Sequence, residues 1–127
     1  MDSIQSLTRR GATCQDLLSC LYNLKPIDMQ ALLIVAKNEN ATLTQIAEQI
    51  HRDRSSTHRS LSKLVSTGLV HKQTETLKGG GYYHVYSMAE PDQIKEYARQ
   101  RVKEITDSLE SLIENFETDL KKHLEQA

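Results

Sequence analysis

The stretch TLTQIAEQIHRDRSSTHRSLSKLVSTGLVHKQTE, residues 42–75, spells out two short helices, the turn between them and the first strand of a hairpin. Thr42 with Gln45 three residues on is a capping box, the hydroxyl taking the Gln45 amide proton and the Gln45 side chain returning to the Thr42 backbone. Ile46, Ala47 and Ile50 then share one face of the helix it opens. After a tight connection at His51 and Arg52, Asp53 is a good N-cap for a further helix whose inward stripe is Thr57, Leu61, Leu64 and Val65. Gly68 supplies the left-handed residue that ends that helix. Residues 69–75 and 82–88 are rich in Val, Thr and Tyr and read as two strands. The TLKGGG between them, residues 76–81, forms a flexible hairpin tip holding three of the five glycines.

Upstream, Leu17, Leu18, Leu21 and Leu24 recur at helical spacing over residues 15–24, and Lys25-Pro26 ends that helix. Asp28 is placed to cap the next one and Ile27 to staple onto Leu32, and the run MQALLIVAK is apolar on nearly every side, as a central helix should be. Downstream, Glu90-Pro91-Asp92 sets proline at the first position of a last helix with no breaker before residue 127. Its residues Ala98, Val102, Ile105, Leu109, Leu112 and Phe116 step as a heptad seam, which Leu120 and Leu124 continue. Such a helix would run about 50 Å, longer than the body of a domain this size, so its apolar seam calls for a second chain. Packing of the seam on the chain's own N-terminal helix is the competing arrangement.

Composition bounds the rest. Leu, Ile, Val and Phe make up 30 of 127 residues, above the roughly 20% below which charged chains stay disordered. The absence of Trp, the single Phe and the two Pro disfavour a large β-sandwich. No window approaches a membrane span and the N-terminus lacks the apolar core of a signal peptide, so a soluble cytoplasmic protein without a membrane partner is expected. The net charge of −1 hides a gradient: −1 over residues 1–50, +4 over 51–89 and −4 over 90–127. Four of the five histidines, His51, His58, His71 and His84, also lie in the basic block. A basic face on an acidic body points to an anionic partner.

On the helix opened by Asp53, a 100° step turns Arg54, Ser55, Ser56, His58, Arg59, Ser62 and Lys63 outward, a surface of donors with no carboxylate after the cap. Major-groove readout needs such donors, since Arg pairs with guanine O6 and N7 and small Ser residues let the backbone approach. In the hairpin, Lys72 and the tip Lys78-Gly79-Gly80 suit contact with phosphates or entry into a minor groove. The histidine spacings match no compact metal motif, which leaves a cross-strand His71/His84 pair as the one metal option, and no cofactor is expected. Cys14 and Cys20 are nearly opposite on one helix and cannot bridge within it. Burial as small apolar residues, or a redox pairing across a dimer, are the roles open to them. No GxSxG, HExxH or P-loop occurs, so no enzyme is indicated.

The segment LTQIAEQIHRDRSSTHRSLSKLVSTGLVHKQTE followed by GGGYYHVYSM resembles archaeal winged-helix transcription regulators of the broad MarR and TrmB type. The resemblance rests on the Thr-capped Ile-Ala-Glu helix, the Ser/Thr-rich recognition helix, and Leu-x-x-Leu-x-x-x-Gly-Leu-Val entering the wing, and it covers about residues 28–90. It implies a mainly α fold with a small β-hairpin wing, a winged helix-turn-helix domain over residues 1–89 and a long dimerisation helix over 90–127. It also implies a homodimer on double-stranded DNA, with residues 53–67 in the major groove and the wing, 76–81, on the backbone or minor groove. A small-molecule effector in the crevice between wing and terminal helix is permitted. Two positions depart from the family pattern: His51 stands where a turn glycine is usual and Arg52 where a small apolar residue is usual. They suggest an unusual angle at the turn. A winged-helix module that binds protein and never DNA is the alternative.

Overall fold

A computed structural model describes residues 4–127. The elements in order are α1 (Ile4–Thr8), α2 (Cys14–Tyr22), α3 (Pro26–Lys37), α4 (Leu43–Ile50), α5 (Arg54–Thr67), β1 (Val70–Thr76), β2 (Tyr82–Met88), α6 (Pro91–Glu114) and α7 (Phe116–Gln126). The chain separates into two compact units, the first ending at Ile94 and the second spanning Lys95–Ala127.

In the first unit α3 is central and packs on α4, α5 and β2. Its Met29, Ala31, Leu32 and Val35 join Leu24, Ile46, Leu61, Leu64, Leu69, Val70 and Tyr86 in one buried core. β1 and β2 pair antiparallel with Val70 opposite Met88 and Thr76 opposite Tyr82. The Tyr86 N–H donates to the Ala41 carbonyl at 2.8 Å, so the residue before the helix-turn-helix forms a third, one-residue rung of the sheet. That rung ties the wing to the start of α4.

The local rules hold at the helix-turn-helix. The Thr42 N–H donates to Gln45 Oε1 at 2.9 Å and the Gln45 N–H to Thr42 Oγ1 at 3.2 Å. The Ser56 N–H donates to Asp53 Oδ2 at 3.3 Å, and Gly68 closes α5 at φ 84°. His51 ends α4 in the left-handed region at φ 62°. It therefore performs the backbone task of the glycine usual there, at the strain cost a side chain brings. Arg52 then donates its N–H to the Ala47 carbonyl, which fixes the three-residue turn.

Four expectations are corrected. A short helix, α1, precedes α2, which ends at Tyr22 with Asn23 left-handed, before Lys25-Pro26. Asp28 does not cap α3: Pro26 holds the first helical position, Lys25 is the N-cap, and Asp28 sits three residues on, accepting the Lys25 N–H at 2.9 Å. The terminal helix is interrupted at Asn115, whose side-chain amide and backbone N–H both donate to the Ser111 carbonyl. A side-chain donor competing for a helix carbonyl is the usual local cause of such a break. Finally, Cys14 is exposed and Cys20 half-buried, so neither is a core residue.

Candidate nucleic-acid interface

Helix α5 carries two faces of different chemistry. Thr57, Ser60, Leu61 and Leu64 are buried, whereas Arg54, Ser55, His58, Arg59, Ser62 and Ser66 are exposed. At 100° per residue these six exposed residues cover about 140° of the helix circumference. No carboxylate lies among them. Arg59 bends back along the helix, its Nη2 donating to Ser56 Oγ at 3.3 Å, which half-buries Ser56. Asp53 stands at the head of the face, its carboxyl held below the usual range first by the Ser56 hydroxyl and backbone N–H.

Lys63 was expected to stand outward with Arg59, and its position corrects that. Its Nζ donates to Asp28 Oδ2 at 3.0 Å and to the Asn23 carbonyl, and it is only half-exposed. The Asp28 carboxylate is buried, which by itself raises its pKa. The Lys25 N–H, the Ser60 hydroxyl and Lys63 outweigh burial and hold it below the ordinary carboxylate value. Asp28, Ser60 and Lys63 thus clamp α5 onto the N-terminus of α3. The clamp escapes a sequence reading because its partners are 35 residues apart. A buried Ser beside a Lys on the edge of a helical wheel is the only trace it leaves.

The hairpin extends the donor face. A notch of about 190 Å³ between α5 and the sheet is lined by Ser62, Val65, Ser66, Lys72 and Tyr86. Lys72 and Tyr86 face each other across the pair, so their side of the hairpin is the one turned to α5. By strand alternation Thr74, Thr76, Tyr82 and His84 share that side, while Glu75 lies on the other with His71 and Gln73. The α5 side of the wing is therefore free of carboxylates as well. His84 Nδ1 is 3.2 Å from Thr74 Oγ1, and its ring meets Tyr82 edge-on at 5.6 Å. The same register sets His71 and His84 on opposite sides, which excludes them as a cross-strand metal pair. At the tip, Gly79, Gly80 and Gly81 all have φ between 86° and 109°, and the Leu77 N–H to Gly81 carbonyl bond of 3.0 Å closes the turn. Three successive left-handed residues demand glycine, although Gly79 and Gly80 face open space. Lys78 is exposed beside them.

A helix-turn-helix followed by a two-stranded wing, with the second helix presenting donors, defines a winged-helix transcription regulator. Residues 18–92 match the family described as "Sugar-specific transcriptional regulator TrmB", and the chain belongs to that family. An uncharacterized protein of Methanocaldococcus jannaschii is 30% identical over 115 residues, 89% of this chain and 87% of that one. A solved structure described as a possible transcriptional regulator from Methanosarcina mazei superposes with TM-score 0.71 at 22% identity, over 86% of this chain and 95% of that one. A MarR protein from Peptoclostridium difficile shares the fold at TM-score 0.52 and 18% identity, over 99% and 86% of the two chains. No helix among the described residues is long and apolar enough to cross a membrane.

Proposed function

We propose that the protein is a sequence-specific double-stranded DNA-binding regulator of transcription that acts in the cytoplasm as a homodimer. Helix α5 lies in the major groove, where Arg54, Ser55, Ser56, His58 and Arg59 reach base edges and phosphates. Lys72, Lys78, Gly79 and Gly80 of the wing meet the backbone or minor groove. Lys63 sets the pose of α5 through Asp28. The observation that carries the proposal is the carboxylate-free surface running from α5 across the adjoining side of the wing, in a chain whose net charge is negative. Exposed helix faces of acidic proteins ordinarily mix signs, and a duplex presenting one negative charge per about 1.7 Å rejects carboxylates.

Two copies held by Ala98, Val102, Ile105, Leu109, Leu112, Phe116 and Leu120 would offer two α5 helices for half-sites about 34 Å apart. Ala98 is already buried within the chain and Ile105 half-buried, so the exposed members carry the contact. A small-molecule effector has a place in the first unit: a cavity of about 340 Å³ between the end of α3, the base of the wing and the first turn of α6, lined by Val35, Glu39, His71, Met88 and Pro91.

Alanine variants on a duplex selected from a random pool test the proposal. Arg59→Ala should lose about 1–3 kcal/mol of discrimination at one base pair, because it lies well inside the helix. Arg54→Ala, beside the cap, should weaken all sequences alike. Lys78→Ala should also act uniformly and make the salt dependence shallower. If Arg54→Ala and Arg59→Ala both leave binding untouched in a folded dimer, α5 is not the reading helix and a protein-binding module replaces the regulator.

A further inference from the structure

The exposed apolar stripe of α6 and α7 is palindromic in sequence about Leu109. Four residues either side stand Ile105 and Ile113, seven either side Val102 and Phe116, eleven either side Ala98 and Leu120. Leu124, fifteen after, has Ile94 as its mirror in sequence, which packs against the core of the first unit and stands outside the exposed stripe. Every one of these mirror pairs is apolar. The steps of 4, 4, 3, 4, 4 follow an 11-residue period rather than the seam through Leu112, whose mirror position is Thr106. Such a period keeps the stripe almost straight along a helix instead of winding left-handed. Val102, Leu109, Ile113, Phe116 and Leu120 are 41–73% exposed, so the stripe lacks a cover within the chain.

Charge follows the same symmetry with its sign reversed at the two ends of the stripe, while at its centre Glu104 reflects onto Glu114. Arg99 and Arg101 flank the stripe on its two sides, and Glu117 and Asp119 flank it eighteen residues later at the same angles on a 100° wheel, the bonds from the Asn115 N–H to Ser111 and from the Asp119 N–H to Asn115 carrying the helical spacing across the break at Asn115. In an antiparallel two-fold pair like flanks meet, so about Leu109 the Arg99 of one copy stands beside Glu117 of the other and Arg101 beside Asp119, each within two residues of level. Paired parallel and in register, two chains would instead set arginine against arginine at one end and carboxylate against carboxylate at the other. They would also lay the six carboxylates between Glu104 and Asp119, uninterrupted by any Lys or Arg, beside six more. Like charges brought together across a helix pair oppose association.

We infer that two copies of the chain pair antiparallel through α6 and α7, crossing at Leu109 on the two-fold axis, with Arg99 and Arg101 of each meeting Glu117 and Asp119 of the other, respectively. The residues from Ala98 to Leu120 overlap over about 33 Å. An isologous contact of this kind closes on itself and leaves no free stripe for a third chain. The inference rests on the homodimer proposed above and adds its direction and register.

Cysteine cross-linking in a Cys14→Ser, Cys20→Ser background tests it without DNA. The full-length background protein is first sedimented: a monomer removes the dimer and this inference with it. Given a dimer, Leu109→Cys should oxidise to a covalent dimer with itself. Val102→Cys and Phe116→Cys should each fail alone and cross-link when mixed, since a disulfide needs Cβ atoms about 3.5–4.5 Å apart. Self-linking of Val102→Cys and of Phe116→Cys would establish the parallel arrangement. A dimer in which none of the three links would place the interface off the stripe, and either result overturns the inference while leaving the homodimer intact. As an independent readout, Arg101→Glu should weaken dimerisation about tenfold and the double variant Arg101→Glu, Asp119→Arg should restore it. Failure of that rescue counts against the register.

Discussion

The two units use the same apolar residues to opposite ends. Up to Ile94 the chain seals its leucines: Leu24, Leu61, Leu64 and Leu69 are at most 2% exposed. From Lys95 onward Ala98 is the one buried residue among those described, while Leu112, Ile113, Phe116 and Leu124 are at least 60% exposed. A contiguous exposed stripe of this kind marks a surface awaiting a partner. On the homodimer proposed above, the difference separates what one chain completes alone from what two chains complete together. Net charge divides in the same sense, +4 over residues 51–89 and −4 over 90–127.

Substitutions can break that contrast. The largest effect should come from Leu109→Asp with Ile113→Asp, which removes four apolar side chains from a dimer at on the order of 1.5 kcal/mol each, roughly 6 kcal/mol of association. Sedimentation should give monomers while the melting of the first unit persists. Leu61→Ala should do the reverse, costing about 2–5 kcal/mol in urea unfolding of the first unit because α5 lies directly on the core. Asp28→Asn should cost about 1–3 kcal/mol, since it leaves the Lys63 ammonium and Ser60 without their acceptor.

The sign of its pH dependence follows from the depressed native pKa of Asp28. Its stabilisation is complete above the unfolded value near 4 and is lost as pH falls through the lower native value, so Asp28→Asn should flatten the acid limb of a stability curve below about pH 4. The smallest effect is expected of Gly80→Ala. A Cβ there meets open space, so only the φ of 109° opposes it, at about 1 kcal/mol.

Local chemistry made much of this legible in the sequence. Thr42, Asp53 and Gly68 act within three or four residues of themselves, and alternation of Val and Tyr defined β2 without reference to any partner. Where a residue's role depends on a distant group, the sequence falls silent. Lys63 lies near the donor arc on a helical wheel, and its long stem could serve either side. Asp28, 35 residues away, decides for the buried side. Asp28 itself looked like a cap because the rule for carboxylates at helix starts covers both the cap and the third position, and Pro26 settles which. His51 shows the limit of reading a pattern by residue type, since the turn requires a backbone conformation and a histidine adopts it. The break at Asn115 was open to local reading, through an asparagine four residues after the Ser111 carbonyl it takes.

Salt dependence of duplex binding by the wild-type protein tests the central claim most directly. If two protomers neutralise about six phosphates, affinity should fall with a log-log slope of about −5, close to a thousandfold between about 50 and 200 mM salt. A slope near zero, or no binding at the lower concentration by a protein that sediments as a folded dimer, would contradict the assignment of the α5 and wing surface to DNA.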